Sequence, residues 1–277
     1  PGGALEQQRL ATQVETWLHE AGLRAYLAER AAGAPLLRPL VRVLDLRLEG
    51  ARRDLDERLA AAGQAALPAV SAPAGTVHQA LELLWLDPDP DTAGWVLMLA
   101  RESDPRLATR LLHEPRMGLE ESAFLQSQRQ GLEDSDREEF LAIAKAELFA
   151  DLLPKGILWV ASQGHLSDLK PGEQLFAQGR VSDSLALVLA GDVRVLPYED
   201  EGQVVVLAIG QTVGEMGVIL CRPRSAEVHA GPQGARLFVL PAEAFEELLQ
   251  RSGRFSRGLI ADLAERLAVS SPVLANR

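Results

Sequence analysis

One cysteine, Cys221, occurs in the 277 residues. An internal disulfide is impossible and zinc sites built on cysteine pairs are excluded, so a reducing, cytoplasmic setting is expected. Lysine is almost as scarce, standing only at 145, 155 and 170, and arginine supplies most of the positive charge. Because 39 acidic residues outnumber 28 basic ones, the net charge of −11 repels nucleic-acid phosphate unless basic residues cluster, and no cluster is visible. No apolar run approaches the roughly 20 residues of a membrane-spanning helix. The five histidines, at 19, 78, 113, 165 and 229, lack His-x-x-His and His-x-x-x-His spacings, so no metal site is expected. A Gly-x-Ser-x-Gly elbow, a Gly-x-x-x-x-Gly-Lys loop and a paired Cys/His nucleophile are all missing, which leaves catalysis without support. The chain opens Pro-Gly-Gly with no methionine and no signal-peptide pattern, as an excised or processed protein with an upstream portion would.

What is present is ordinary folded-protein composition, 47% hydrophobic and 24% charged, over a length that suits two domains. The text changes near residue 140, predicting a helical domain over 1–139 and a second domain over 140–277. In the first, leucines and alanines recur every three or four residues at 5–30, 36–48, 54–62, 76–86, 91–100 and 106–112, each a short amphipathic helix. Proline-bearing breaks at 33–35, 71–75, 87–91 and 103–105 separate them, with Asp or Ser placed to cap the next helix. The succession of apolar helix, Asp-Pro and apolar helix resembles HEAT-type repeats; an ordinary helical bundle is the plainer alternative. An acidic stretch at 120–139 should cap a helix over 137–152 that leads into the second domain.

Beyond Gly172 short strands are predicted at 172–176, 184–190, 193–196, 204–209, 226–230 and 236–240. Gly191-Asp192 is read as a hairpin turn and 199–202 as a loop. One helical turn at 215–220 interrupts the series, and amphipathic helices close it at 242–250 and 255–269. Evenly spaced, glycine-punctuated strands indicate a small β-roll, barrel or jelly roll.

The densest chemistry lies at 213–226. Gly214 and Glu215 head the short helix, and Arg224, flanked by Pro223 and Ser225, follows nine positions after the carboxylate. Free N–H groups at a helix start suit an anion, Gly217 would let a ligand approach the backbone, and Arg224 can fork two bonds to a phosphate with help from Ser225. A carboxylate beside phosphate needs a donor of its own, such as a sugar hydroxyl. Phosphate with hydroxyl describes a nucleotide.

Gly214-Glu215-Met216-Gly217 and Pro223-Arg224-Ser225-Ala226, at this separation, resemble the phosphate-binding cassette of cyclic-nucleotide-binding domains. The flanks agree: 171–179 is similar to the family's first roll strand, 182–185 with 188–195 to its central hairpin, and 148–152 to its leading helix. The resemblance implies an α+β chain, a helical array followed by a jelly-roll-like β-roll with flanking helices. It implies that Glu215 accepts from the ribose 2′-hydroxyl while Gly214 makes room for the sugar. Arg224 would pair with the cyclic phosphate, with Ser225 and the N–H of Gly217 assisting and Met216 completing the cassette. The base would lie against Val205 and Leu207, under a lid helix at 255–269 whose apolar face includes Leu259, Ile260, Leu263 and Leu267. cAMP is the first ligand, and cGMP the second because Ser225 could meet a guanine amino group. Cys221, inside the cassette, is read as a buried filler.

The implied role is a non-catalytic cytoplasmic sensor, with the helical array facing a partner protein or an attached region such as a membrane transporter. The alternatives are a degenerate cassette that serves as a scaffold, with Arg224 and Glu215 as a mutual ion pair, or the regulatory part of a longer transcription factor or enzyme. The end of the chain shortly after the lid helix, and its acidity, speak against a DNA-binding helix-turn-helix.

Overall fold

The computed structural model describes residues 2–63, 67, 76–87, 89–113, 125–126, 134–196 and 204–270. Expectations for the break at 71–75, the stretches 120–124 and 127–133 and the loop 199–202 lie outside them. Two compact units divide the chain, Pro1–Leu132 and Glu133–Arg277.

In the described residues the first unit is all helical: α1 (Gly2–Ala31), α2 (Arg38–Ala61), α3 (Val77–Trp85), α4 (Pro90–Ser103) and α5 (Pro105–His113). The capping logic of the sequence operates here. Thr76 accepts from Gln79 N, Asp89 accepts from Asp91 N with Pro90 in the first turn, and Asp104 accepts from Arg106 N and Leu107 N. Leu10 and Trp17 of α1, seven residues apart, meet Leu48, Leu55 and Leu59 of α2 in one apolar cluster. Trp17 Nε1 donates to the Leu48 carbonyl at 3.2 Å, which satisfies the indole inside that cluster. Arg47 ties three segments together by pairing with buried Glu20 at 2.9 Å and buried Asp87 at 3.4 Å. The two helices expected at 36–48 and 54–62 are one. No proline separates them, and the cost of about 1 kcal/mol for Gly50 in a helix interior is offset by leucine burial on both sides.

The second unit begins with α6 (Asp134–Lys145), a 3-10 turn (Glu147–Phe149) and α7 (Pro154–Gln163). The helix expected to reach 152 stops at Lys145, where Ala146 turns extended, and Pro154 starts a new helix from its first turn. Neither α7 nor the following strand, β1 (His165–Leu169), was expected. Then come β2 (Gln174–Phe176), β3 (Ser184–Leu196), β4 (Val205–Leu207), β5 (Thr212–Val213), α8 (Glu215–Ile219), β6 (Glu227–Pro241), α9 (Ala242–Arg251) and α10 (Gly253–Ser270). All pairings are antiparallel. The sheet runs β1-β6-β3-β4, with β2 also on β6 and β5 also on β3.

Two long strands replace four expected short ones. β3 runs straight through Gly191-Asp192 and pairs with β6 from Ser184↔Pro241 to Leu196↔Glu227, so the expected hairpin at 191–192 does not form. The register shifts at Val188/Ala190 and Gly191/Val193 explain the glycine: it marks a bulge. Gly191 has φ +71°, and a side chain there would overlap the carbonyl of Gly234, itself at φ +81° on the partner strand. Strands 226–230 and 236–240 fuse in the same way. Ala186, Val188 and Val193 of β3 pair with Val239, Leu237 and Ala230 of β6, and with Val228 they belong to one core cluster. At the helical side Phe255 of α10 stacks on Phe149 with centroids 6.3 Å apart and meets Phe245 of α9 edge-on at 5.9 Å. This fixes the start of α10 against the 3-10 turn.

Candidate functional site

The residues singled out at 214–225 converge on one cavity of about 340 Å³ in the second unit. Gly214, Glu215, Met216, Gly217, Arg224 and Ser225 all line it, together with Phe176, Val195, Leu207, Val213 and Val228 from the strands. Leu259 and Leu263 of α10 and Glu147 and Leu148 of the 3-10 turn line it as well. The cavity is therefore polar and charged around the short helix and apolar along the strands and α10.

Arg224 is the buried charge of the site, 6% exposed. Its backbone is clamped to the loop after β2: Arg224 N donates to the Arg180 carbonyl at 2.8 Å, and Gly179 N donates to the Arg224 carbonyl at 2.9 Å. Its side chain donates from Nη1 to the Gly214 carbonyl at 3.0 Å and from Nη2 to the Ser184 carbonyl at 2.6 Å, with Ser184 Oγ at 3.5 Å and Asp183 Oδ1 at 3.7 Å. Among the described residues, no hydrogen bond starts from its Nε. The guanidinium lies over the Phe176 ring, 3.6 Å from centroid to Cζ. Burial lowers its pKa from the ordinary value, and the carboxylates of Asp183 and Glu215 oppose that shift. An arginine has so high an ordinary pKa that it stays charged. A buried cation with an unused donor beside a cavity suits an anion.

The cassette glycines also have packing duties that the sequence did not announce. A Cβ on Gly214, which has φ +90°, would come within 2.8 Å of Phe176 Cε2 and would crowd Arg224 Nη1, so its space is filled by the arginine and the ring. A Cβ on Gly217 would overlap Ser182 Oγ, which donates to the Arg222 carbonyl at 2.7 Å. Both glycines make room for protein. Glu215 opens α8 at partial exposure, Ser225 is exposed and Met216 is half-exposed.

The apolar expectations divide. Leu207 lines the cavity, whereas Val205 is 52% exposed near the end of β4 and is not among the lining residues. Val205 is the first residue of β4 and pairs with Val195, two ladder positions from the Leu207–Val193 pair. On α10, Leu259 and Leu263 face the cavity, but Ile260 is 65% exposed, because adjacent helical positions lie about 100° apart. The side chain of Leu267 lies outside the described residues. Cys221 is exposed rather than buried, at φ +49° in the turn that ends α8. Asp183, Ser184 and Phe176, the partners of Arg224, were not expected: two of the contacts are backbone or aromatic, and no side-chain pattern announces them.

The family model of the cyclic nucleotide-binding domain matches residues 166–252. The cAMP-dependent protein kinase type II regulatory subunit of Drosophila melanogaster is 35% identical over 80 residues, 28% of this chain and 21% of that protein. Lysophospholipase NTE1 of Pyricularia oryzae is 29% identical over 143 residues, 50% of this chain and 9% of that protein. The chain thus spans about a fifth and about a tenth of the length of these relatives. Among solved structures, the Thermus thermophilus catabolite activator protein aligns at 29% identity and a TM-score of 0.40, over 44% of this chain and 59% of that one. Among the described residues no helix is long and apolar enough to cross a membrane, and no group of His, Cys, Asp and Glu is arranged to hold a metal ion. The antiparallel sheet with flanking helices and the family match together show a helical region followed by a cyclic nucleotide-binding fold, with the matched domain at residues 166–252.

Proposed function

We propose that the chain is a non-catalytic sensor module that binds a 3′,5′-cyclic purine nucleotide in the cavity of the second unit and passes the occupancy to a partner. The observation that carries this is Arg224, a buried guanidinium that lines the cavity beside apolar strand and α10 residues and whose Nε makes no hydrogen bond among the described residues. In this reading the cyclic phosphate takes that donor, Glu215 accepts from the ribose 2′-hydroxyl, and the Ser225 hydroxyl and Gly217 N–H assist at the phosphate. The base lies between Leu207 and the α10 residues Leu259 and Leu263. cAMP comes first, supported by the 35% identity to a regulatory subunit named for cAMP dependence; cGMP is the second candidate. Calorimetric titration with cAMP, cGMP and 5′-AMP tests the reading. Saturable heat is expected with the cyclic compounds, and no heat from either would overturn it.

Transmission would run through α10, which closes the cavity and is stacked on the 3-10 turn by Phe149 and Phe255. The helical first unit would be the face offered to a partner protein, with HEAT-like stacking as its proposed architecture. The alignment with 9% of a lysophospholipase also supports a place as the regulatory segment of a longer enzyme. A second reading, a ligand-free scaffold, is favoured by one observation. Arg224 already donates to two backbone carbonyls, as a purely structural arginine would.

A further inference from the structure

An arginine that awaits an anion in a buried site faces a conflict. Its charge is costly to bury, yet a carboxylate partner would consume the donors and the charge that the anion needs. The surroundings of Arg224 resolve the conflict with an aromatic face. The Phe176 ring lies flat under the guanidinium at 3.6 Å, and both residues are buried, 8% and 6% exposed. A ring quadrupole attracts a cation across its face while taking none of the in-plane N–H donors. Two carboxylates act on the guanidinium, Glu215 at the head of α8 and Asp183, which is 3.7 Å away with its side chain 77% exposed, an exposure that weakens it as a competitor.

Two features place the ring, and a second cavity shows what it borders. A register shift in β2 between Gln174 and Phe176 re-aims the strand end. Gly214 leaves the opposite side open, since a Cβ there would meet both the ring at 2.8 Å and Arg224 Nη1. Phe176 and Arg224 also line a second cavity of about 490 Å³ with Gln174, Ala177, Arg180 and Asp183, so the stacked pair borders both spaces. Without the ring the guanidinium would lose the surface that fixes its plane where it borders both cavities.

Building on the reading above, we infer that Phe176 is a positioning residue for phosphate recognition: it holds the Arg224 guanidinium in plane, charged and with donors open toward the nucleotide cavity. The test compares Phe176→Leu, which keeps apolar bulk, with Phe176→Tyr, which keeps the ring. Phe176→Leu should weaken binding of cAMP or cGMP about tenfold by calorimetry, and Phe176→Tyr should stay within about twofold of the parent. A second readout needs no nucleotide. The Arg224 Nε–H resonance, assigned by its loss in Arg224→Lys, should carry a ring-current shift in the parent and in Phe176→Tyr that disappears in Phe176→Leu. A parent that binds, with Phe176→Leu binding equally well or Phe176→Tyr falling as far as Phe176→Leu, overturns the inference alone. A parent that binds neither nucleotide removes the reading on which it rests.

Discussion

At the scale of single residues the site turns on Arg224. Replacing it with alanine should weaken nucleotide binding by about 2 to 4 kcal/mol, because a phosphate would lose its charge-assisted bonds in a buried setting. Glu215→Gln should cost less, since the amide carbonyl still accepts one bond. Titration calorimetry of both variants checks the order, and parent-like binding by both would place the ligand elsewhere. Gly217 allows a test of packing rather than recognition. Gly217→Ala should lower stability by roughly 1 to 3 kcal/mol by overpacking against Ser182, and adding Ser182→Gly should recover part of the loss in thermal melts. No recovery would mean that the glycine is needed for some other reason. The cassette was legible because its polar residues sit at fixed separations within thirteen positions, 213–225. Its support was not: the Ser184 and Gly214 carbonyls and the Phe176 ring reach Arg224 only through strand pairing, and a backbone acceptor leaves no mark in a sequence.

At the scale of elements, α10 is the piece most able to respond. The strands β3 and β6 are held by ladder bonds on both sides, whereas this helix is held by Phe255, Leu259 and Leu263 along one face. Hydrogen exchange with nucleotide should therefore slow in α8 and α10, with smaller changes in β3 and β6; slowing confined to 214–226 would mean binding without transmission. The β3–β6 ribbon shows where local reading fails. Gly191-Asp192 has hairpin chemistry, yet the chain runs on, because Gly191 and Gly234 bulge against each other and let two strands of 13 and 15 residues bend as one. Choosing between a turn and a bulge requires knowing the partner strand. Pro154 is ambiguous in the same way, since proline ends helices and also starts them. By contrast, Asp89 and Asp104 were readable as caps because capping is settled within three residues.

At the scale of the whole molecule, ligand binding selective for the folded state must raise the melting temperature, by about 2.7 kcal/mol of added stability at a free concentration a hundred times Kd. Scanning calorimetry with and without cyclic nucleotide checks this, and the shift is expected in the transition of the second unit. The phosphate end of the cavity is assembled from β2, the start of β3, Gly214 and Arg224, with Ser184 and Arg224 standing 40 residues apart in the chain. Such a constellation exists only after distant strands have paired, a slow and late event in folding. Nucleotide should therefore have little to hold on to in the folding transition state and much to hold in the native state. Added ligand would leave the refolding rate nearly unchanged and slow unfolding in proportion to occupancy, making the nucleotide a clamp on the lifetime of the folded domain rather than a guide to its formation.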